Sequence, residues 1–310
     1  MRNHHHLTLL TSAFVSIFAL GACSSPPPRP ADSGKRPFAD PNLYAASEEQ
    51  TAQALKTMED IEREIAASQT FDPAEREQRL RSLGSRLERL VTQAQGSRFH
   101  NKALYLLAHW RFTFRDDGSG VGEALDALDA LPTPPLKQLG KSLRVLHYCR
   151  QGRLVQARTV AEKLVADIPQ FAGLLDLVAL HEGIGKPAPP TAGRGLDDRT
   201  IDPLPGSDRP LLLVIANAWN PETRHVLGRF HAQVEGRCRL ALWVADGTPD
   251  TLRQGLPAGV VGMYARTKAE ADGWLGKWIT PDSTLAVLIA PDRTLTGVGV
   301  RPGDLGRLLP

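Results

Sequence analysis

Cysteine is scarce in this chain, and its scarcity excludes one class of small secreted protein. The 310 residues include three cysteines, Cys23, Cys149 and Cys238, too few for a fold held together by a disulfide framework. Cys149 and Cys238 either pair with each other or stay reduced as small buried side chains. Burial is the commoner fate of a free cysteine, but the sequence leaves both possibilities open.

A dominant charge is also missing. Lys and Arg total 37 and Asp and Glu total 34, which gives a net charge of +3, and the two signs are mixed along the chain. A nucleic-acid-binding protein carries a clustered basic surface, so no nucleic-acid partner is predicted. Beyond the N-terminus no apolar run is long enough to span a bilayer, so no later membrane segment is predicted.

The residue patterns of common catalytic and metal sites are absent as well. No Gly-rich phosphate loop and no Ser nucleophile elbow occurs. His225 and His231 are six positions apart, so they do not share a helix face as two metal ligands would. His181-Glu182 lacks the second histidine of a zinc-protease motif. We therefore predict no metal, no cofactor and no conventional catalytic residue.

The N-terminus has the pattern of an export signal. A polar start precedes a mostly apolar stretch, Leu7 to Ala22, about the length of a signal-peptide core and short for a membrane span. The stretch ends in Leu20-Gly21-Ala22-Cys23, which resembles a bacterial lipobox. That resemblance implies cleavage before Cys23, lipid attachment to it and, because Ser24 follows, sorting to the periplasmic face of the outer membrane. An ordinary cleaved signal or a single N-terminal anchor helix is the alternative.

Changes in composition along the chain predict five segments. Residues after Cys23 are rich in Pro, Ser and charge, which favours an extended, disordered chain. A second stretch rich in Pro and Gly marks a domain boundary. We predict a signal peptide at 1–22, a tether at 23–44, a helical domain at 45–185, a linker at 186–209 and a second domain at 210–310.

The helical domain carries apolar residues at helical spacing, and Asp72-Pro73 is a good helix start. Its later part has a weak period of 34 residues. The matched pairs are Phe114 with Tyr148, Gly118 with Gly152, and Pro135 with Pro169. The second copy resembles a tetratricopeptide repeat in the spacing of its small residues and its proline. The resemblance implies stacked helices with a concave protein-binding surface, and an unrelated helical bundle is the alternative.

Beyond Pro210 the pattern changes to alternating strands and helices. The continuous apolar run Leu211–Ile215 indicates a buried parallel strand, and a helix is predicted over Pro221–Val234. The remaining predicted elements are strand Arg239–Ala245, a short helix near Thr248, strand Val260–Tyr264, a helix from Lys268 to about Trp274, a hairpin of Leu285–Ile289 with Thr294–Val300, and a closing helix Asp304–Leu309.

The segment Trp219 to Arg224, Trp-Asn-Pro-Glu-Thr-Arg, resembles the strand-to-helix corner of the thioredoxin-like fold, where the active site is Trp-Cys-x-x-Cys-Arg. Leu288–Asp292 is similar to the hairpin of the TlpA-like periplasmic reductases. The predicted fold class is therefore multi-domain: an α-helical, repeat-like N-terminal domain and an α/β, thioredoxin-like C-terminal domain. Two departures matter. Asn220 and Thr223 replace the cysteines, and Thr284 takes the place of the usual cis-proline.

A purely structural account of the same corner is available. Asn is a strong helix N-cap, Pro suits the first helical position, and Glu favours the positive end of the helix dipole. The segment is then a helix start that needs no chemistry. The free N–H groups of such a helix start remain a possible anion site.

These features lead to two hypotheses about function. In the first, the protein is a lipid-anchored envelope scaffold that binds a protein partner on its helical domain and whose thioredoxin-like domain is inactive in redox chemistry. In the second, it is an envelope thiol-disulfide oxidoreductase of the TlpA-like class that uses unconventional residues. The nucleophile of disulfide chemistry is a thiolate, so the missing cysteines favour the first hypothesis.

Overall fold

A computed structural model describes residues 46–68, 71–97, 99–115, 119–130, 134–204, 208–234, 236–267, 269–270 and 284–309. The predicted signal peptide, lipobox and tether lie outside these ranges, as do Gly118, Trp274 and Trp278. The chain divides into two compact units, one through His147 and the other from Tyr148 onward. Within the described ranges, no helix combines the length and the apolar character needed to cross a membrane.

The first unit is made of helices, as predicted. The bounds are α1 Glu48–Ser68, α2 Pro73–Ser82, α3 Gly84–Gln93, α4 His100–Phe114, α5 Val121–Asp129 and α6 Pro134–Arg150, whose last residues belong to the second unit. The predicted start at Asp72 is confirmed: its Oδ1 accepts hydrogen bonds from the N–H groups of Ala74 at 3.0 Å and Glu75 at 3.2 Å. Two of the donors that a helix start leaves without partners are thereby satisfied.

Helix α4 forms the centre of this unit. Every residue from Ala103 to Trp110 is buried, so the middle two turns of the helix are enclosed on all sides, as an evenly apolar stretch of helix requires. The Trp110 indole Nε1 donates to the carbonyl of Leu80 at 2.8 Å. This bond satisfies the polar end of a large buried side chain and joins α4 to α2.

Gly84, at the start of α3, is packed against the same indole. A Cβ on Gly84 would lie 2.3 Å from Trp110 Cη2, far inside van der Waals contact. We expect Gly84→Ala to lower the free energy of unfolding by about 1–3 kcal/mol, because overpacking forces side chains off their rotamers. Urea unfolding of the full chain, followed by circular dichroism, measures the change.

Gly228 provides the matched control, since it also lies in a helix but a Cβ there has nothing within 4 Å. Gly228→Ala is expected to stabilise the chain by about 1 kcal/mol, the usual gain in helix propensity. If Gly84→Ala were as stabilising as Gly228→Ala, the contact between Gly84 and Trp110 would be wrong.

The second unit begins with the end of α6, followed by α7 (Leu154–Asp167), a short 3-10 turn (Pro169–Ala172) and α8 (Gly173–Glu182). The chain turns from α6 into α7 at Gly152, whose φ of 69° favours glycine. Tyr148 and Gly152 thus lie at the end of α6 and in the turn, and Pro169 begins the 3-10 turn after α7. The relationship to tetratricopeptide repeats stays a prediction.

The rest of the second unit is a mixed sheet. Its strands are β1 Gly193–Gly195, β2 Thr200–Ile201, β3 Leu211–Ala218, β4 Arg239–Asp246, β5 Val261–Tyr264, β6 Thr284–Ile289 and β7 Leu295–Val298, in the order β2-β1-β5-β4-β3-β6-β7. Strands β3, β4 and β5 are parallel, and the other pairs are antiparallel. The helices are α9 Pro221–Val234, α10 Pro249–Arg253 and α11 Leu305–Leu308, which follows a 3-10 turn at Pro302–Asp304.

The connections confirm a thioredoxin-like α/β domain. Strand β3, helix α9 and strand β4 form a parallel βαβ unit, and β6 and β7 form a hairpin that leads into the closing helix α11. Helix α9 buries Leu227, Phe230 and Val234 in the core on one face of the sheet. The predicted bounds of α9 match the observed ones. Of the helix predicted from Lys268, only 269–270 are described, and they are helical.

Strands β1 and β2 were not predicted, and the segment 186–209 was predicted as a linker. Strands β1 and β2 fall within it, and β1 pairs with β5. Residues Lys186 to Ala188 run beside the hairpin, where the Leu295 N–H donates to the Lys186 carbonyl at 2.9 Å. The segment predicted as a linker therefore contributes to the sheet at both edges. Whether the regions 45–185 and 210–310 fold independently, as the predicted domain limits imply, stays a prediction.

Candidate functional site

The candidate site is the corner between β3 and α9. Strand β3 ends at Ala218, which pairs in parallel register with Asp246 at the end of β4. Trp219 and Asn220 follow, and α9 begins at Pro221. Ligands of open α/β sheets bind beyond the carboxyl ends of the strands, so this edge is where a thioredoxin-like site is expected.

Asn220 and Thr223, which stand at the positions of the missing cysteines, both bind the main chain. Asn220 Oδ1 accepts a hydrogen bond from the Thr223 N–H at 2.8 Å, as a helix N-cap does. Thr223 Oγ1 donates to the carbonyl of Ala218 at 2.9 Å. Asn220 is exposed and Thr223 is buried, with 4% of its surface accessible. Both side chains thus form hydrogen bonds with main-chain groups at the N-terminus of α9.

Trp219 is held in place by α10 and by the end of β4. Its N–H donates to the Asp246 carbonyl at 3.2 Å, and its indole Nε1 donates to the Thr251 carbonyl at 2.9 Å. The indole also covers Gly255, where a Cβ would lie 3.1 Å from Trp219 Cζ2. These contacts fix the position of Trp219 between β3 and α9 and leave its side chain half-buried.

Thr284 lies on the neighbouring strand at the same edge of the sheet. It is the first residue of β6 and pairs with Ala216 of β3, two positions before the end of that strand. No cis peptide bond occurs within the described ranges, and Pro281 lies outside them. The fold therefore gathers Trp219, Asn220, Thr223 and Thr284 at one edge. That these four residues occupy the positions of a lost redox site stays a prediction from the sequence.

The two thiols of the second unit are free and buried. Burial raises the pKa of Cys149 to about 12, and the Glu182 carboxylate adds to the shift. Burial likewise raises the pKa of Cys238 to about 11, although its hydrogen bond with the Leu212 backbone opposes the change. Thiolate is the reactive form, so both side chains are poor nucleophiles at neutral pH. Cys238 comes directly before β4, at the opposite end of that strand from Asp246.

The other chemistry-bearing residues do not converge. No group of three or more His, Cys, Asp or Glu side chains able to hold a metal occurs in the ranges that the structure describes. His231 Nε2 lies 3.1 Å from the Ala258 carbonyl. Glu182 is bound by Arg158 in a two-point contact of 2.8 and 2.6 Å. These side chains have structural roles where they stand.

One polar cluster was not predicted from the sequence. At the carboxyl end of β5, the Tyr264 hydroxyl donates to Asp198 Oδ1 at 2.5 Å, and this bond raises the pKa of Tyr264. Arg194, opposite Tyr264 on β1, donates to Glu270 Oε1 at 2.7 Å and lowers the pKa of Glu270. The spacing of Thr267 and Glu270, a helix-start signal, was the one trace of it in the sequence. The cluster anchors the chain after β5 to β1.

Comparison with known proteins finds likeness in solved structures only. No protein-family model matches the chain, and no curated protein matches it. The thioredoxin domain of a thiol-disulfide oxidoreductase from Bacteroides vulgatus is 14% identical, with 40% of this chain and 93% of that chain covered and a TM-score of 0.34. A thioredoxin-like protein from Aeropyrum pernix is 12% identical, with 45% and 96% covered and a TM-score of 0.33.

A third similar structure is the exposed lipoprotein thioredoxin of Streptococcus pneumoniae, at 8% identity, with 37% of this chain and 94% of that chain covered and a TM-score of 0.31. Likeness at this level says nothing about activity. The strand order and the connections of the second unit are what identify its fold: the C-terminal part of this chain is an α/β domain of the thioredoxin-like class.

Proposed function

We propose that this chain is a lipid-anchored protein of the bacterial cell envelope that binds another protein, and that its thioredoxin-like domain performs no thiol chemistry. The observation that carries the proposal is the use of both redox positions as structural caps: Asn220 binds the Thr223 N–H, and Thr223 binds the Ala218 carbonyl. Neither side chain supplies a sulfur nucleophile, and the two thiols of this unit are buried with raised pKa values.

The proposed location rests on Leu20-Gly21-Ala22-Cys23. Lipidation of Cys23 would attach the protein to the membrane, and one acyl chain alone anchors only weakly, so several are expected. The proposed face is the periplasmic side of the outer membrane. The proposed protein partner binds the helical region, whose repeat-like spacing favours a binding surface.

A thiol-disulfide oxidoreductase is the second candidate. What favours it is the fold itself, because β3, α9 and the hairpin are arranged as in proteins that carry this activity. In such a protein Cys238 would have to react, although burial opposes it.

An insulin-reduction assay separates the two candidates. The wild-type chain is expected to give no turnover above the background of the added dithiothreitol. Turnover that disappears in Cys238→Ser would overturn the proposal in favour of the second candidate. Cys149→Ser is the matched control, since that thiol is equally buried and lies far from the corner in the sequence.

Labelling with radioactive palmitate, in bacteria that express the full chain, tests the anchor. Label is expected in the wild-type chain and not in Cys23→Ala, because the lipobox resemblance places the acyl chains on that residue. Equal labelling of both chains would remove the lipoprotein part of the proposal and leave the redox part standing.

A further inference from the structure

The last turn of α8 and the residues after it cover the outer edge of β7. Gly183 lies against Leu295, where a Cβ on the glycine would be 3.5 Å from Leu295 Cδ2. The Gly185 N–H donates to the Leu295 carbonyl at 2.8 Å, and the Leu295 N–H donates to the Lys186 carbonyl at 2.9 Å. An open strand edge pairs readily with other chains, and here the chain's own segment occupies it.

His181 lies within this turn and is 6% exposed. Its Nε2 approaches Gly299, the residue directly after β7, and lies 4.0 Å from the position of a Cβ on that glycine. Within the described residues its ring forms no hydrogen bond that would hold a proton on both nitrogens. The imidazole is therefore buried in its neutral form between α8 and the end of the hairpin.

The charged groups around His181 do not favour its protonation. Arg150, at the end of α6, acts on it with a positive charge. Glu182, next to it on α8, is held by Arg158. The β7 stretch 294–299 has no ionisable residue, and beyond it Arg301 is paired with Asp304 at 3.5 Å.

We propose that this turn is an acid-sensitive latch: protonation of His181 releases the end of α8 and the segment Gly185–Ala188 from the edge of β7. A proton passes from hydronium to the ring nitrogen that carries none, so an N–H bond forms there, water is released, and no other covalent bond of the protein changes. A buried imidazolium with a cation nearby and no acid partner is costly, whereas the released turn places the charge in water. The inference is independent of the proposed function.

The pH window follows from the two states of His181. Burial, with the charge of Arg150 added, lowers its pKa from 6.5 to about 4 while the latch is closed. A group with a lowered pKa stabilises the closed form fully above pH 6.5, and this stabilisation is lost as the pH falls toward 4. With the ordinary pKa restored on release, the opening equilibrium constant rises about 60-fold between pH 7 and pH 4.5.

Amide hydrogen exchange of the full chain, measured by NMR at pH 7 and pH 4.5, tests the latch. Three amides report on the closed latch: those of Gly185 and Leu295, and that of Ala188, which donates to the Arg293 carbonyl at 2.8 Å. Their protection factors are expected to fall up to about 60-fold on acidification. The Ala265 N–H, bonded to the Val244 carbonyl at 3.0 Å in the same sheet, is expected to keep its protection.

Substitution of the histidine gives the decisive comparison. His181→Gln, or His181→Met if the first variant does not fold, is expected to abolish the acid-dependent loss at all three amides. His231→Gln on the exposed side of α9 is expected to behave as the wild type. An unchanged acid response in the His181 variants, no response in the wild type, or an equal loss at Ala265 would each overturn the latch.

Discussion

A fragment that starts at Tyr148 is expected to fold, whereas a fragment that starts at Pro210 is expected to remain unfolded or to aggregate. The shorter fragment matches the domain limit that the sequence predicts at 210, and the longer one matches the compact unit of the structure. The difference between them is α7, α8, β1, β2 and the strand-like segment after α8.

The physical reason is the apolar surface that the missing elements cover. Helix α8 buries Leu174, Leu177, Val178 and Leu180, and each buried side chain of this size contributes about 1.5–3 kcal/mol. Strand β1 shields Met263 and Trp243, since a Cβ on Gly193 would lie 3.0 Å from one and 3.3 Å from the other. Without β1 these two side chains are exposed, and without the segment after α8 the strand edge at Leu295 is open. The loss is about 3–6 kcal/mol for the two side chains alone, against a domain stability of only about 5–15 kcal/mol.

Size-exclusion chromatography and a ¹H–¹⁵N correlation spectrum of each fragment provide the measurement. Fragment 148–310 is expected to elute as a compact species with dispersed amide signals and a cooperative thermal transition. Fragment 210–310 is expected to have narrow amide dispersion and no cooperative transition. Dispersed signals from 210–310 would mean that α8 and β1 are accessories of the sheet, and the domain limit at 210 would then be correct.

Replacing Asn220 and Thr223 together by cysteine is expected to create thiol-disulfide exchange activity where the wild type has none. Position 220 is exposed and position 223 is buried, which suits an attacking thiol and a resolving thiol. Both lie at the start of a 14-residue helix, whose N-terminus lowers the pKa of a thiol placed there. The loss of the Asn220 cap costs about 1 kcal/mol, which a folded domain tolerates.

Insulin reduction in the presence of dithiothreitol measures the gain. The single variant Asn220→Cys is the control: it is expected to react rapidly with iodoacetamide but to give no turnover, because it lacks a resolving thiol. The contradicting outcome is an inert double variant in which the exposed thiol, introduced by Asn220→Cys, has the ordinary pKa of a free cysteine. The corner would then not present its helix N-terminus to solvent, contrary to the geometry described for Asn220 and Thr223.

Much of the second unit was predictable because its signals are local. Helix α9 begins and ends at its predicted residues, since the Asn220 cap and the apolar positions of the helix involve neighbours three or four residues apart. The long strands β3 and β4 each contain a continuous apolar run, Leu211–Ala216 and Leu240–Ala245, and burial on both faces produces that pattern.

The short elements were not predictable. Strands β1 and β2 have three and two residues, too few for a periodic pattern, and they exist because β5 supplies hydrogen-bonding partners for β1. The same holds for the polar cluster of Arg194, Asp198, Tyr264 and Glu270, whose members come from two stretches of sequence, 194–198 and 264–270, which are 66 residues apart.

The sequence by itself determined the two kinds of structure in this protein, the position of the thioredoxin-like corner and the absence of its cysteines, because each depends on residue identity or on spacing within one element. Only the tertiary structure decided that Thr223 uses its hydroxyl to bind the Ala218 carbonyl, that both remaining thiols of this unit are buried, and that α8 belongs with the sheet. These outcomes depend on contacts between segments far apart in the chain, and no local pattern encodes such contacts.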